Sequence, residues 1–340
     1  MKRIFALIVL CALLTGCAAA PQAEQPQYTA TFLTLFDTVT TIIGRAENEA
    51  AFQSKVQPIH DTLQHYHELF DIYNDYEGVN NIKTINDNAG IAPVKVDKAI
   101  IDLLTDCRQY YELSEGRVNV MMGSVLSLWH VARNDGINDP ANAKLPDQNA
   151  LTEAAKHISM DALVIDEAGS TVYISDPNAS LDVGAVAKGW ATQRAAEATE
   201  AGMLISVGGN VCATGPKKDD GTPWVIGIQD PDNPQENVHT IFVTKDSVVT
   251  SGDYQRAYAV DGKVYHHIID PDTLMPAAYW RSVSIVCGDS GLADTLSTAL
   301  FLMDREAGEA LVKECGAEAL WIAADGTEYM TDGFEKMLRT

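Results

Sequence analysis

The stretch that decides the fold runs from Thr250 to Pro271 and reads TSGDYQRAYAVDGKVYHHIIDP. Its centre, Asp261-Gly262, lies between two runs of alternating residues and is typical of a two-residue hairpin turn. The stretch therefore predicts a tight turn, a strand, a hairpin and a second strand. That second strand ends on His266, His267 and Asp270, and rigid sheet ends often carry functional side chains.

The histidine pair has two interpretations. Neighbouring residues on a strand point to opposite faces, so one ring can be buried in the core while the other faces solvent. Alternatively, one ring faces a pocket and acts there as a general base, for which an imidazole with a pKa near neutrality is suited. The residues of this stretch alone leave both interpretations open.

Composition limits the classes of function. The chain has 340 residues, 46% of them hydrophobic, and its formal net charge is -23. Its length suits one large domain or two smaller ones. Nucleic-acid binding is disfavoured because it needs a basic surface. An anionic substrate would need local hydrogen-bond donors or a metal ion rather than the field of the whole protein.

The N-terminus predicts a lipoprotein signal peptide over residues 1–16. Lys2 and Arg3 precede an apolar segment, Ile4 to Leu14, that is too short to cross a bilayer. Leu14-Thr15-Gly16-Cys17 has the form of a lipoprotein box, which predicts lipidation of Cys17, a lipidated tether over 17–28 and a folded domain over 29–340. The alternative is an ordinary signal peptide cleaved near residues 18–20.

Several further segments carry structural signals. We expect a strand from Thr29 to Ile43, a strand followed by a short apolar segment ending at Trp129, and a strand from Leu204 to Thr214. Gly208 and Gly209 interrupt the last of these, which favours a bulge or a close approach of the backbone to a ligand.

The segment LDVGAVAKGWA, which starts at Leu181, predicts a strand ending at Asp182-Val183, a turn of small residues and a helix from Ala187. Backbone N–H groups at such a helix start can approach an anion, and Lys188 adds a positive charge there. The alternatives are a phosphate site and a plain strand–helix junction.

A later segment, GLADTLSTALFLM, predicts a helix from Gly291 to Met303. Asp294 and Thr298 are four residues apart and so lie on one face of it. A carboxylate and a hydroxyl one turn apart are oxygen ligands suited to Mg²⁺. The alternative is a buried aspartate beside a threonine bonded back to its own helix.

These blocks occur in one order, namely FDT (Phe36 to Thr38), LDVGAVAKGWA, ISVGGN, WVIGIQDP, TSGDY, HHIIDP and ADTLSTALF. In that order the chain resembles the FAD:protein FMN transferase family, also called ApbE, over nearly all of its length after the tether. The resemblance implies an α+β fold with mostly antiparallel sheets and flanking helices, related to the tunnelling folds. It also implies FAD as substrate and Mg²⁺ as cofactor, with FMN attached through its phosphate to a threonine of an acceptor protein and AMP released.

The resemblance also assigns roles to residues. His267 takes the catalytic position with Asp270 nearby, and Mg²⁺ is held by the backbone oxygen of Ala185 with Asp294, Thr298 and Ser297. The residues expected to contact the flavin nucleotide are Phe36, Tyr73, Asn119, Asp182, Lys188 and Ile268. The chain departs from the family pattern at Asn119 and Met121, where many members have Asp and Thr, and at Leu274, where a glycine is common.

The implied acceptor is a membrane redox subunit with a Ser/Asp-Gly-Ala/Ser-Thr motif, and the implied location is the extracytoplasmic or periplasmic side of a membrane, through the lipid on Cys17. Two rival functions remain. One is an FAD pyrophosphatase that uses water instead of threonine, and the other is a lipoprotein that binds flavin without chemistry. An Asp294/Thr298 pair together with His267 argues against binding alone, because storage needs neither a metal nor a base.

Overall fold

A computed structural model describes residues 25–339 of the chain, so the predicted signal peptide, Cys17 and most of the tether lie outside the described residues. The strands, in chain order, are β1 (Gln27–Leu35), β2 (Thr38–Arg45), β3 (Val94–Lys95), β4 (Leu163–Asp166), β5 (Thr171–Ile174), β6 (Leu204–Val207), β7 (Asn210–Ala213), β8 (Trp224–Gln229), β9 (Asn237–Val243), β10 (Ser247–Gly252), β11 (Tyr258–Val260), β12 (Lys263–Tyr265), β13 (Trp280–Cys287), β14 (Glu318–Ala323) and β15 (Glu328–Met330).

Seven of the nine α-helices within the described residues begin after a residue whose side chain caps the first turn. In chain order the nine helices are α1 (Glu49–Phe70), α2 (Ile82–Asp87), α3 (Lys98–Leu113), α4 (Gly123–Asn138), α5 (Gln148–Ala154), α6 (Ala187–Glu197), α7 (Ser290–Phe301), α8 (Arg305–Cys315) and α9 (Asp332–Met337). Asp97, for example, accepts a hydrogen bond from the backbone N–H of Ala99 and so caps α3. In α1 the buried residues include Phe52, Val56 and Ile59, which recur at three- and four-residue steps.

One large antiparallel sheet organises the molecule. Its eight strands lie in the order β1-β2-β6-β7-β10-β13-β14-β15. Smaller sheets are formed by β3-β5-β4, by β8-β9 and by β11-β12, and their paired strands are also antiparallel. The expected α+β class with mostly antiparallel sheets and flanking helices is confirmed.

The large sheet is covered on both faces. Helices α1, α6 and α7 pack on one face, around buried residues such as Val283 and Ile285 of β13. The β8–β9 hairpin packs on the other face through Trp224, Ile226 and Ile228, which alternate with exposed residues along the strand. Because both faces are buried, the strands at the centre of the sheet form a rigid support for the loops at their ends.

The structure corrects three of the expected elements. The segment expected as one strand from Thr29 to Ile43 is a hairpin, in which β1 and β2 are joined by a turn at Phe36 and Asp37. The strand expected before Trp129 is absent, and α4 instead begins at Gly123 and continues to Asn138. The local sequence offered little warning of either difference. The turn between β1 and β2 contains no glycine, and the segment before Trp129 has no clear hydrophobic period.

The third correction concerns the paired glycines. Gly208 and Gly209 form the tight turn between β6 and β7 rather than a bulge, and their φ values of 58° and 91° lie in the left-handed region. Glycine adopts this conformation without the steric cost that a Cβ would add. Gly208 also donates its backbone N–H to the carbonyl of Val39 at 3.0 Å, so this turn lies beside the β1–β2 turn.

The stretch from Thr250 to Pro271, here called the opening stretch, forms the predicted hairpin. Strands β11 and β12 pair around Asp261 and Gly262, whose φ values of 50° and 77° fit a two-residue hairpin turn. Strand β12 ends at Tyr265, so the two histidines follow the strand directly instead of lying on it.

Two further observations bear on the N-terminal expectations. Strand β1 starts at Gln27, two residues before the expected start of the domain. Within residues 25–339, no helix has the length and hydropathy that crossing a membrane requires.

Candidate active site

A cleft of ≈ 340 Å³ opens at one end of the large sheet. The β1–β2 and β6–β7 turns, the end of β10 and the first turn of α6 meet around it, and α4 and α7 contribute side chains from either side. Most of the residues expected at the site line this cleft, namely Phe36, Tyr73, Asn119, Asp182, Ala185, Lys188, His267, Ile268, Asp294 and Thr298. Two expected residues, Ser297 and Asp270, do not line it.

One side of the cleft, here called the floor, consists of Ala185, Lys188, Asp294 and Thr298. The Asp294 carboxylate is buried, and its Oδ2 accepts the backbone N–H of Gly189 at 2.8 Å. The same oxygen lies 3.5 Å from Nζ of Lys188. The carboxylate is therefore held by a backbone contact between two helices as well as by an ion pair.

A close approach of α6 to α7 makes this contact possible. A Cβ built on Gly189 would lie 2.3 Å from the carbonyl oxygen of Ser290 and 2.4 Å from Cβ of Asp294. Such distances are well inside van der Waals contact, and one of the atoms belongs to the backbone, which cannot easily move. Only glycine at position 189 allows the two helices to meet in this way.

The floor fits a magnesium ion in its donor chemistry. Oδ1 of Asp294 has no hydrogen-bond partner among the described residues, and Thr298 lies one helical turn away on the same cleft. Within residues 25–339, no three His, Cys, Asp or Glu side chains are grouped so as to hold a metal ion. A Mg²⁺ ion here would therefore depend on one carboxylate, neutral oxygens, water and substrate phosphates, a ligand set that Mg²⁺ commonly uses.

His267 faces the cleft with one nitrogen available. Its Nδ1 lies 3.2 Å from the carbonyl oxygen of Gln255. Because a carbonyl oxygen can only accept, Nδ1 carries the proton in this contact, and Nε2 of the neutral ring keeps a free lone pair. Its neighbour His266 is buried, with Nε2 2.9 Å from the carbonyl oxygen of Ala277 and Nδ1 accepting the N–H of Ile268. The pair thus separates into one structural ring and one ring at the cleft.

The expectation that His267 has a pKa near neutrality is wrong for this structure. Burial lowers the pKa of His267 to about 3, and the positive charges of Arg256 and Lys188 contribute to the shift. The imidazole is consequently neutral across the ordinary pH range. Its Nε2 is ready to accept a proton, but the imidazolium that would form is unstable unless an anion offsets the nearby charges.

Asp270 is not brought to His267. Its Oδ1 accepts the backbone N–H groups of Asp272 and Thr273 at 2.7 and 3.1 Å, and it lies 3.8 Å from Nη1 of Arg117. These contacts stabilise the turn after Pro271, so the observed role of Asp270 is structural, and its catalytic role stays a prediction without a contact to support it.

Ser297 is likewise directed away from the cleft. It is fully buried, and its hydroxyl contacts the carbonyl oxygen of Asp294 at 2.9 Å and the hydroxyl of Ser251 at 2.8 Å. Ser297 therefore holds α7, which carries Asp294 and Thr298, against β10. A direct bond from Ser297 to a metal remains a prediction that these contacts do not favour.

Phe36 lies in the β1–β2 turn, in an unusual backbone conformation. Phe36 and Asp37 have φ values of 53° and 51°, which cost non-glycine residues roughly 1 kcal/mol or more each. The backbone N–H of Phe36 donates to Nδ1 of His67 at 3.2 Å. His67 also contacts the hydroxyl of Tyr76, and this hydroxyl donates to Asp71 at 2.8 Å. This chain of contacts stabilises the turn and places the Phe36 ring at the cleft.

Asn119 reaches the cleft with a side chain that is already hydrogen-bonded. Its Nδ2 donates to the carbonyl oxygen of Ile158 at 2.8 Å, and its Oδ1 accepts the N–H of Met121 at 2.8 Å. Met121 is fully buried in the core. At these two departures from the family pattern, the side chains therefore serve the backbone and the core, and Asn119 has little capacity left to bind a ligand.

The other side of the cleft, here called the arginine wall, consists of Tyr73, His130, Arg133, Asp182 and Arg256. The hydroxyl of Tyr73 lies 2.9 Å from Nδ1 of His130, and Nε2 of His130 lies 3.8 Å from Asp182. Burial raises the pKa of Tyr73 to about 12, and the charge of Asp182 adds to the shift. Burial also lowers the pKa of His130. Both side chains are therefore neutral near pH 7 and offer hydrogen bonds rather than charge.

Sequence reasoning missed three members of the arginine wall and also His67. His60, His65 and His67 are expected to be solvated or capping side chains, yet His67 lines the cleft. His130, Arg133 and Arg256 carry no motif of their own. Only their positions in the sequence could have indicated these residues. His130 and Arg133 are three residues apart and share a helix face, and Arg256 lies inside the opening stretch.

Comparisons with known proteins show the family of the chain. The sequence model of the ApbE family matches residues 36–321. The chain is 35% identical over 263 residues to the FAD:protein FMN transferase of Treponema pallidum, covering 72% of this chain and 71% of that protein. It is 27% identical over 339 residues to the FAD:protein FMN transferase of Klebsiella pneumoniae, covering 96% and 93%.

Solved structures give the same result for the fold. The crystal structure of the ApbE protein of Thermotoga maritima superposes with a TM-score of 0.80 at 28% identity, covering 93% of this chain and all of that one. The resemblance drawn from the ordered motifs is confirmed. Since the family match spans most of the 340 residues, this chain belongs to the ApbE family.

Proposed function

We propose that this chain is a Mg²⁺-dependent FAD:protein FMN transferase that attaches FMN to a threonine hydroxyl of an extracytoplasmic acceptor protein and releases AMP. The relatives named above support the transferase class. The observation that carries the proposal is the placement of the free Nε2 of His267 in the same cleft as Lys188, Asp294 and Thr298. A cleft of this kind holds a base, a cation and oxygen ligands around one space.

The proposed chemistry divides between the base and the floor. The acceptor hydroxyl forms a bond to the FMN phosphorus while the bond from that phosphorus to the AMP oxygen breaks, and Nε2 of His267 takes the hydroxyl proton. Asp294, Thr298 and the Ala185 carbonyl would hold Mg²⁺, which when bound neutralises charge on phosphate oxygens. Lys188 adds a positive charge on the same side.

The remaining residues would hold the nucleotide. The rings of Phe36 and Tyr73 offer aromatic surfaces for a flavin, and the buried Ile268 offers an apolar contact. Asp182, whose Oδ1 accepts the N–H of Gly184 at 2.9 Å, shapes the turn that leads into α6. With FAD bound, these residues would orient it so that its diphosphate lies between the floor and His267.

One experiment tests this function against its rivals. The purified chain is incubated with FAD, Mg²⁺ and a peptide carrying a Ser/Asp-Gly-Ala/Ser-Thr motif, and both AMP and covalently bound flavin are measured. We expect one AMP for each flavin on the peptide, and no flavin on a matched peptide with Thr→Val. Release of AMP and free FMN without labelling would indicate the pyrophosphatase, and FAD binding without AMP would indicate a flavin-binding protein.

The location is part of the proposal and has its own test. A lipidated Cys17 would hold the domain at the extracytoplasmic face of a membrane. The support is the Leu14 to Cys17 box at the end of an apolar segment. Cys17→Ala should release soluble or unprocessed protein. Unchanged membrane retention and unchanged lipid labelling of this variant would contradict the anchor.

A further inference from the structure

We propose that Arg133 and Arg256 together form a phosphate-binding site on the arginine wall, opposite the floor, that grips phosphate oxygens of the nucleotide not held by the floor. The identity of the ligand as a nucleotide rests on the proposed function, whereas the existence of an anion site rests on the geometry of the two arginines.

The position of Arg133 follows from helix α4. It comes three residues after His130 and so lies on the same face of the helix. Both residues line the cleft, and His130 is fixed there by its contact with the Tyr73 hydroxyl at 2.9 Å. Arg133 is partly buried, so its guanidinium is held near the ligand space and is not free in bulk water.

Arg256 approaches the same space from the opening stretch. It follows Gln255, whose carbonyl oxygen contacts Nδ1 of His267 at 3.2 Å, and its side chain also lines the cleft. Its φ of 46° lies in the left-handed region, which costs a non-glycine residue about 1 kcal/mol. The strained backbone thus occurs one residue away from the carbonyl that orients the proposed base.

The two guanidinium groups have no acidic side chain in contact within the part of the chain that the structure describes. Among the described residues, neither one forms a hydrogen bond or lies within 4.0 Å of a carboxylate. Other arginines do find such partners, since Arg281 contacts Asp232 and Asp253 at 2.8 Å and Arg305 contacts Glu309 at 2.6 Å. Arg133 is half-buried and Arg256 is exposed, so in a chain with 47 acidic and 24 basic residues the lack of a close carboxylate is most unusual at Arg133, whose charge a bound anion would balance.

The two side chains are also close enough to repel one another. Burial lowers the pKa of Arg133, and the charge of Arg256 is the next cause. The positive charge of Arg256 also contributes to the lowered pKa values of His130 and His267. Tyr73 and Asp182 offset part of the shift at Arg133, and an anion bound between the two arginines would offset more of it.

The chemistry favours a phosphate over an acidic peptide. Planar guanidinium groups bind phosphate oxygens through paired hydrogen bonds, and two of them match the charge of a diphosphate. Arg256 follows the residue whose carbonyl oxygen contacts His267, so a phosphate bound by Arg256 would lie near the phosphorus that the acceptor hydroxyl attacks. Negative charge develops on the departing AMP oxygen when its bond to the FMN phosphorus breaks, and an arginine there would stabilise that charge.

Equilibrium binding of ligand pairs that differ only in phosphate tests the site. Affinities for FMN and riboflavin, and for AMP and adenosine, are measured with Mg²⁺ on the full chain and on Arg133→Gln and Arg256→Gln. We expect each variant to lose roughly 10–100-fold in affinity for FMN, AMP or both, while riboflavin and adenosine change less than about twofold. The phosphate ligand that loses affinity identifies which of the two phosphates the arginines hold.

Two further variants complete the design. Arg305→Gln removes an arginine remote from the cleft and should leave all four affinities unchanged. Arg133→Lys keeps the charge without the paired hydrogen bonds and should lose less affinity than Arg133→Gln. The site is overturned if both glutamine variants bind FMN and AMP within about twofold of the wild type, or if they change only the KM for the acceptor peptide. Wild-type phosphate selectivity without any FMN transfer would contradict the proposed function and leave the arginine site standing.

Discussion

The floor and the arginine wall face each other across one cleft, yet they are built in different ways. The floor depends on backbone contacts, in which Asp294 accepts the N–H of Gly189 and two helices meet where no Cβ fits. The wall depends on contacts between side chains, such as that of Tyr73 with His130, which are 57 residues apart in the chain. The floor is therefore held by contacts within the protein, whereas the wall contains two arginines that Asp182 offsets only in part and that a bound anion would balance further.

This difference also separates the expected mutational effects. A change at the floor or at the proposed base should remove chemistry or folding, because those contacts have no substitute. A substitution in the arginine wall should lower the affinity for the nucleotide by a limited factor, because several side chains of the wall would contact it.

The largest effect is expected at Asp294. Asp294→Ala removes the only carboxylate proposed for Mg²⁺, so Mg²⁺-dependent transfer should fall by about 10³-fold or more. The measurement is turnover against Mg²⁺ concentration. The matched control is Asp289→Ala, which removes the cap of α7 and should cost about 1 kcal/mol of stability while leaving the Mg²⁺ requirement unchanged. Wild-type turnover by Asp294→Ala at low Mg²⁺ would show that the floor is not a metal site.

The next effect is expected at His267. His267→Ala should bind FAD nearly as well as the wild type and transfer FMN roughly 10²–10⁴-fold more slowly, because a threonine hydroxyl is a weak nucleophile without a base. Single-turnover transfer and FAD affinity are measured on the same samples. His266→Ala should stay active wherever it remains folded, since that ring contacts only the protein. A folded but inactive His266→Ala beside an active His267→Ala would reverse the assignment.

A smaller effect, on stability, is expected at Gly189. Gly189→Ala should lower the free energy of unfolding by about 1–3 kcal/mol, because the added Cβ forces α6 away from α7. Thermal unfolding measures the change. Gly288→Ala is the control, since a Cβ at position 288 meets no atom within 4 Å and should change stability by less than about 1 kcal/mol. Equal stability of both variants would mean that the floor adjusts more easily than its geometry indicates.

Sequence reasoning succeeded where a feature depends on neighbouring residues. The Asp261-Gly262 hairpin and the shared helix face of Asp294 and Thr298 both follow from short patterns, and the structure has both of them. The floor was predictable for the same reason, although its dependence on Gly189 was not.

The arginine wall was not predictable because it is assembled by the tertiary fold. His130 and Arg133 reach the cleft only because the segment expected to begin as a strand is helix α4. Their partners Tyr73 and Arg256 lie in distant segments, so no local spacing relates them. The turn at Phe36 and Asp37 was not predicted either, because it contains no glycine and its one residue of a turn-forming type, Asp37, lies inside an alternating run.

In the wall, a single hydroxyl should matter only modestly. Tyr73→Phe removes the hydrogen bond to His130 and keeps the ring, so FAD affinity should fall by roughly 2–10-fold with little change in the rate from bound FAD. Fluorescence titration with FAD measures the affinity. Tyr279→Phe, at an exposed tyrosine outside the cleft, should leave the affinity unchanged. A loss above about 100-fold for Tyr73→Phe would mean that the wall is as rigid as the floor.

The smallest effect is expected from pH. The pKa of His267 is lowered to about 3, so the ring of the free protein stays in its neutral, proton-accepting form as the pH falls from 8 to 5. Because kcat/KM reports the free enzyme, it should change by less than about threefold over this range through His267. An acid limb near pH 6.5 that disappears in His267→Ala would contradict the lowered pKa.

The most direct test of the central claim, that the free Nε2 of His267 accepts the proton of the attacking hydroxyl, is chemical rescue. Single-turnover FMN transfer by His267→Ala is measured with FAD and Mg²⁺ at increasing concentrations of imidazole. We expect imidazole to restore transfer in a saturable way and in proportion to its unprotonated fraction, while the wild type is unaffected. A variant that binds FAD normally and is not accelerated by imidazole at any concentration would contradict the assignment of His267 as the base.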